Sequence, residues 1–183
     1  MSIIGGQAVG QFGLALIVQD VGAAADFYRD VFGAQEVARH FAPNPLDLPG
    51  PEPVAAELRL SGIHLMVTRE NPRWREAPRP DWPRSPRAAG AASAYSVIYV
   101  ADVAAVFARA CAAGAQPSRP GDAPEEGYWG DRMIQIHDPF GHVWRLLERI
   151  EEVEAAALGP RLAAQIAAYR QARDAPTARP AEA

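Results

Sequence analysis

Few residues in this 183-residue chain combine reactive chemistry with a spacing that would gather them. Glu57 and Arg59 alternate in one apolar run, and His64, Met66 and Thr68 alternate in the next. Tyr95 and Tyr99, then Gln135 and His137, then Arg145 follow the same pattern further along. Alternate residues of a β-strand share a face, so each set can present its side chains together. His64 is the best-placed general base, although a lone histidine on a strand is more often structural. Glu57 can act as acid or base, or pair with an arginine and only shape a cavity. Arg59 and Arg145 can hold a carboxylate or phosphonate through charge-assisted, bidentate bonds. Tyr95 and Tyr99 offer aromatic walls with hydroxyl tips, or fill space with their OH groups bonded locally.

The elements that would position these residues come in two copies. An apolar strand, Phe12 to Val18, runs into Asp20-Val21, a helical stretch Ala23 to Phe32, and Gly33-Ala34-Gln35. A second, Tyr95 to Val100, runs into Asp102-Val103, a helical stretch Ala104 to Ala113, and Gly114-Ala115-Gln116. The order is the same, with one residue fewer in the second copy. Each Asp stands where a helix N-cap is wanted and each Gly where a helix ends with positive φ. This is a tandem duplication, and repeats of this kind organise a whole fold.

Strand candidates follow each helix: Gln35 to Phe41, Val54 to Leu60 and Ile63 to Arg69 in the first copy. Ser61-Gly62 joins the last two as a tight hairpin. In the second copy they are a short piece near Gln116, then Arg132 to His137 and His142 to Glu148, around the turn residues Asp138-Pro139-Phe140-Gly141. Ala42 to Pro53 and Pro117 to Gly127 read as loops. One strand face is apolar almost throughout (Leu58, Leu65, Val67, Ile98, Ile134, Ile136, Trp144 and Leu146 among others) and should lie under the helices. The opposite face mixes Glu57, Arg59, His64, Gln135, His137 and Arg145 with Tyr, Met, Ile and Val. Such a mixture fits a curved sheet enclosing a ligand-sized cavity better than a fully wet surface.

The expected architecture is α+β: tandem βαβββ modules forming a curved mixed sheet around a cavity, plus a C-terminal helix. Residues 1–150 form one domain, with module 1 at about 11–70, a connecting loop at 71–92 and module 2 at about 93–150. A helical segment follows at 151–173, with apolar residues at helical spacing and a break near Gly159-Pro160, and 174–183 read as a disordered tail.

Composition narrows the function classes. Hydrophobic residues make up 49% and charged residues 22% of the chain, as in globular proteins. A net charge of −4 gives no reason to expect nucleic acid or an anionic membrane as partner. Arg73, Arg75, Arg79, Arg84 and Arg87 do cluster, but among prolines and Trp74 and Trp82, which makes a stiff solvated connector. Those tryptophans could also close over a ligand. The single cysteine, Cys111, excludes disulfides within the chain and points to a reducing cytoplasm. No signal peptide and no membrane-spanning run are expected.

Two segments carry a resemblance. V-x-D-V-x(5)-F-Y-x-x-V-F-G-A at Val18 to Ala34, and W-G-D-R-x(5)-D-P-F-G-H-x-W at Trp129 to Trp144, resemble the vicinal-oxygen-chelate superfamily, which includes glyoxalases, bleomycin-resistance proteins and dioxygenases. The resemblance covers Phe12 to Arg149 and implies the duplicated fold. It places Trp129 and Arg132 in the shared motif, near the cavity rim or supporting it, and implies a homodimer. It also implies a divalent metal held at matching positions of the two modules, which fall at Gly13, Tyr95, His64 and Arg145. Only His64 is a ligand of the usual kind, since glycine has no donor and an arginine repels a cation. A relocated site would need Glu57, His64 and His137, and no motif spacing supports it.

The expectation is therefore a metal-independent binding protein without cofactor for a small oxygenated or aromatic compound. Its ligand-binding residues would be Arg59, Tyr95, Tyr99, Trp129, Arg132, Gln135, His137 and Arg145. An alternative is a lyase, isomerase or cyclase using His64 or Glu57 as acid or base, with Arg145 stabilising an anion. A metal-dependent glyoxalase or dioxygenase stands third.

Overall fold

The computed structural model describes residues 12–41, 52–76 and 78–174. The N-terminus, most of the expected loop from Ala42 to Pro53 and the tail beyond Asp174 lie outside the described residues. The first half runs β1 (Gly13–Val18), α1 (Val21–Phe32), β2 (Gln35–Phe41), β3 (Pro53–Leu60) and β4 (Ile63–Arg69). A connector with a short helical turn, α2 (Pro86–Ala89), leads to β5 (Tyr95–Tyr99), α3 (Val103–Ala112), β6 (Gln116–Pro117), β7 (Glu125–Glu126), β8 (Asp131–His137) and β9 (Val143–Arg149). The last element is α4 (Ala155–Asp174).

The duplication is visible in the caps and the sheets alike. Asp20 accepts from the Ala23 N–H and Asp102 from the Ala105 N–H, each at 2.9 Å. Gly33 (φ 72°) and Gly114 (φ 94°) turn the chain out of each helix. Ser61 (φ 49°) and Gly62 (φ 82°) both take the left-handed region that a two-residue hairpin turn demands. The mixed sheet is built as two: one ordered β1-β4-β3-β2, the other β5-β9-β8-β6 with β7 also on β8. In each, the first strand runs parallel to the last and the remaining pairs are antiparallel. The Glu125–Glu126 strand lies within the stretch read from sequence as a loop; only two residues pair, too few for a periodic signal.

The apolar faces make one core. Leu58, Leu65, Val67, Ile136 and Leu146 are fully buried and join the inner faces of α1 and α3 in a single cluster. Asp138, in the β8–β9 turn, fastens the halves together. Its carboxylate accepts from Tyr28 Oη of α1 (2.7 Å), from Trp144 Nε1 (3.0 Å) and from the Phe140 and His142 N–H groups (2.9 Å each). Burial, together with the Asp138 charge, holds the Tyr28 hydroxyl well above its usual range, so it stays a donor. His142 Nε2 donates to the Ile17 carbonyl of β1 (3.0 Å), and Arg109 of α3 donates to the Val31 carbonyl of α1 (2.8 and 3.0 Å).

Glu70, buried at the end of β4, ties down the connector. Gln19 Nε2 donates to one carboxylate oxygen (3.0 Å) and the Ser85 N–H to the other (2.9 Å). Burial pushes this carboxyl up, but donors from Ser85, Gln19 and Trp74 outweigh it and hold the group below its ordinary 4.5. A carboxyl depressed in the folded state contributes stability above its unfolded pKa and loses it as the pH falls through the folded one. Thermal unfolding scanned against pH should therefore show stability declining below about pH 4.5. Glu70→Gln should be less stable at pH 7 and flatter across the acid range. A variant with the wild-type acid slope contradicts this role.

α4 departs from the sequence expectation, because the helix continues through Pro160 instead of breaking there. Proline removes the bond to the carbonyl four residues back, which belongs to Ala156. Ala156 is exposed, so water can take that carbonyl and the helix survives. No helix among the described residues is long and apolar enough to cross a membrane.

Candidate ligand-binding site

The faces turned away from α1 and α3 carry the chemistry. On the five-stranded sheet, register aligns Tyr95 with Val143, and Val97 and Gln135 with Arg145. The Arg145 guanidinium lies over the Tyr95 ring, 4.5 Å from its centroid, and donates through Nη2 to Gln135 Oε1 (3.2 Å). Gln135 is held in turn by its own Nε2, which donates to Ser118 Oγ (3.1 Å). The Arg145 Nε–H is buried without a hydrogen-bond partner, and no carboxylate pairs with this arginine among the described residues. Arg145 is thus a stacked, singly hydrogen-bonded cation with no counter-ion among the described residues.

Beside it lies a satisfied network. Buried Asp131 accepts from Tyr99 Oη and Trp129 Nε1, each at 2.9 Å, and forms an ion pair with Arg149. Arg149 is thereby neutralised, and Tyr99 and Trp129 have their polar tips committed, leaving their rings as walls. A cavity of about 350 Å³ opens here, bounded by Arg145, Val97, Leu147 and Tyr99 and by Val153 and Leu158 from the C-terminal segment. A second, of about 650 Å³, lies across β8 beside Met133, Gln135 and Tyr169.

The four-stranded sheet holds the other candidates. Arg59, His64 and Gly13 fall in one row of the register, with Glu57 beside Met66 in the next. Glu57 pairs with His40 Nε2 (2.8 Å) rather than with either arginine, and its second oxygen is 3.5 Å from His64 Nε2. That His64 nitrogen is buried and lacks a hydrogen-bond partner. Arg59 is exposed, on a different sheet from Arg145.

The structure thus gathers Tyr95, Tyr99, Trp129, Gln135 and Arg145 on one face, and Glu57, Arg59 and His64 on another. His137 shares the face of Gln135 but stands exposed at the end of its strand. Arg132 does not share it. Strand alternation turns Arg132 to the opposite side, where it meets Glu126 (3.0 Å) and Glu148 (3.6 Å), the latter also capping α3 through the Val103 N–H (3.0 Å). Trp74 packs against Arg75 and Arg84, each 5.1 Å from its centroid, and Trp82 against Arg79 (5.3 Å), so the connector tryptophans are engaged locally. Sequence reasoning missed Ser118, Asp131, His40 and Leu158. Asp131 lies inside the W-G-D-R motif, a signal that was open to use. The other three depend on register or on the path of α4.

A family model for the Glyoxalase/Bleomycin resistance protein/Dioxygenase superfamily matches residues 10–146. The chain belongs to this superfamily. An uncharacterized protein of Mycobacterium bovis is 32% identical over 140 residues, covering 75% of this chain and 82% of its own length. An uncharacterized protein of Mycobacterium tuberculosis matches at the same identity, over 74% of its length. Among solved structures, protein PA1353 from Pseudomonas aeruginosa is similar in fold, with TM-score 0.56 and 20% identity, covering 76% of this chain and 97% of that one. TioX from Micromonospora sp. ML1 gives TM-score 0.52 and 24% identity over 76% and 98% of the two chains.

The superfamily positions that would carry a metal lack the donors for one. Gly13 lies against His64, where an added Cβ would come within 3.8 Å of Nδ1, and it contributes no ligand. Tyr95 lies beneath the Arg145 guanidinium, a fixed positive charge. One imidazole and a guanidinium do not make a donor set for a divalent cation. Among the described residues no three His, Cys, Asp or Glu side chains are placed to hold one. This superfamily member does not fit the metal at those positions.

Proposed function

We propose that this chain is a metal-independent small-molecule binding protein of the glyoxalase/bleomycin-resistance type. It takes a small oxygenated or aromatic compound with an anionic group on the open face of the five-stranded sheet. One observation carries the reading: Arg145 lines the cavity of about 350 Å³, stacked on Tyr95 and held by Gln135, with no carboxylate partner among the described residues. Tyr95 and Tyr99, each about half exposed, supply flat surfaces for a ring.

A thermal-shift screen tests it. Small aromatic carboxylates at large excess over their Kd should stabilise the protein by about 2–3 kcal/mol, and the matching neutral amides should not. Amides that stabilise as well as acids would overturn the anion-binding reading.

A second reading, a lyase or isomerase, is favoured by His64, whose buried Nε2 is unpaired and 3.5 Å from Glu57. Under it, His64 or Glu57 moves a proton while Arg59, beside His64 in the register, steadies the resulting anion in place of the expected Arg145, which lies on the other sheet. If His64→Ala abolishes a turnover while ligand affinity is kept, this reading replaces the first. Without any His64-dependent turnover, binding alone stands.

A further inference from the structure

We infer that the C-terminal segment forms the second wall of the Arg145 site and selects a monocarboxylate with a single flat ring; this rests on the anion-binding reading above. The chain leaves β9 and turns sharply, the N–H groups of Ile150 and Glu151 both donating to the Gly130 carbonyl at 3.0 Å. Gly130 (φ 88°) is needed there, because an added Cβ would lie 2.3 Å from the Glu151 carbonyl oxygen. The turn carries Val153 and Leu158 over the open face, and Arg161 of α4 clamps it through a two-bond ion pair with Glu151 (2.8 and 2.5 Å). Further along, Tyr169 reaches the strand β7 through Glu125 (3.4 Å). From Leu158 to Tyr169 the helix advances roughly 16 Å, and the three strand spacings from β5 to β7 span roughly 14 Å. α4 therefore crosses the sheet instead of leaving it.

None of the described α4 side chains is buried, although Leu158 and Val153 face apolar Val97 and Leu147 across the cavity of about 350 Å³. A gap of mixed lining under an unburied helix is space for a guest. Its lining carries one guanidinium without a carboxylate partner, Arg145, beside aliphatic groups, the Tyr99 and Trp129 rings and the Asp131–Arg149 ion pair. The far side holds the Asp131 carboxylate, already neutralised by Arg149, so a second negative charge on the guest finds no partner there. The volume is at the small end for ligand pockets, suited to roughly 10–15 non-hydrogen atoms.

The test uses isothermal titration of the full chain with benzoate, phenylacetate and 3-phenylpropanoate, and with the dianion terephthalate. Expected are saturable binding of at least one monoacid and none of terephthalate. Leu158→Ala should weaken the best monoacid about tenfold, and Leu158→Trp, which fills the gap, should block it. Unliganded thermal midpoints of both variants should stay near wild type because Leu158 is not part of the core. Monoacid binding that needs Arg145 but ignores both Leu158 variants overturns this inference alone, as does preference for terephthalate. If no monoacid binds, or binding ignores Arg145→Ala, the anion-binding reading itself falls and this one with it.

Discussion

Arg145→Ala is expected to weaken binding of an aromatic carboxylate by roughly 30- to 140-fold while the unliganded fold stays intact. The figure follows from losing charge-assisted hydrogen bonds worth about 2–3 kcal/mol, at 1.4 kcal/mol per factor of ten. The fold should tolerate the change because the guanidinium's partners are a Tyr95 ring that is half exposed and a Gln135 amide that keeps Ser118. Loss of the stacking contact costs about 0.5–1 kcal/mol, or roughly 1–4 °C in a chain of this size. Arg145→Lys keeps the charge but not the planar fork, and should fall between wild type and alanine. Titration calorimetry beside thermal unfolding separates the two effects. Unchanged affinity in Arg145→Ala, with the fold intact, would show that the anion sits elsewhere.

The second large effect is on stability. Asp138→Ala should destabilise the protein by about 4 kcal/mol, lowering the thermal midpoint by roughly 8–16 °C. Four donors converge on this buried carboxylate, two of them side chains from α1 and β9 with no other route to water. Asp138→Asn discriminates this account from one of mere packing. The amide has nearly the same shape, but its NH2 must face donors, so it should still cost about 2 kcal/mol. Denaturant unfolding of both variants measures this. An asparagine variant as stable as wild type would mean that the four bonds are not what the carboxylate is for.

What the sequence disclosed is what local chemistry determines. Asp20, Asp102, Gly33 and Gly114 reveal their helices because a cap acts within a few residues. Ser61-Gly62 reveals a hairpin because only that turn tolerates two positive φ angles there. Strand alternation alone puts Tyr95, Gln135 and Arg145 on one face. The partners that matter most are distant and hence hidden. Tyr28 and Asp138 are 110 residues apart, and nothing near either announces the bond. The Glu57–His40 pair was hidden for a different reason: β2 carries register shifts at Glu36/Ala38 and His40/Phe41, which defeat simple alternation. Arg132 looked like a site residue by motif, yet its parity along β8 sends it to the other face. The path of α4 is set by the Gly130 carbonyl and a proline whose cost falls on solvent, and neither can be read from helical periodicity.

The central claim, anion capture by an arginine without a metal ion, is tested most directly by one titration. Protein exhaustively treated with chelator and verified metal-free by elemental analysis is titrated calorimetrically with the best-binding aromatic monocarboxylate, then again after adding back zinc, nickel, manganese or iron(II). The account predicts saturable one-to-one binding in the stripped protein, with the same Kd in every metal-supplemented sample. Binding that disappears on stripping and returns with a stoichiometric metal ion would contradict it.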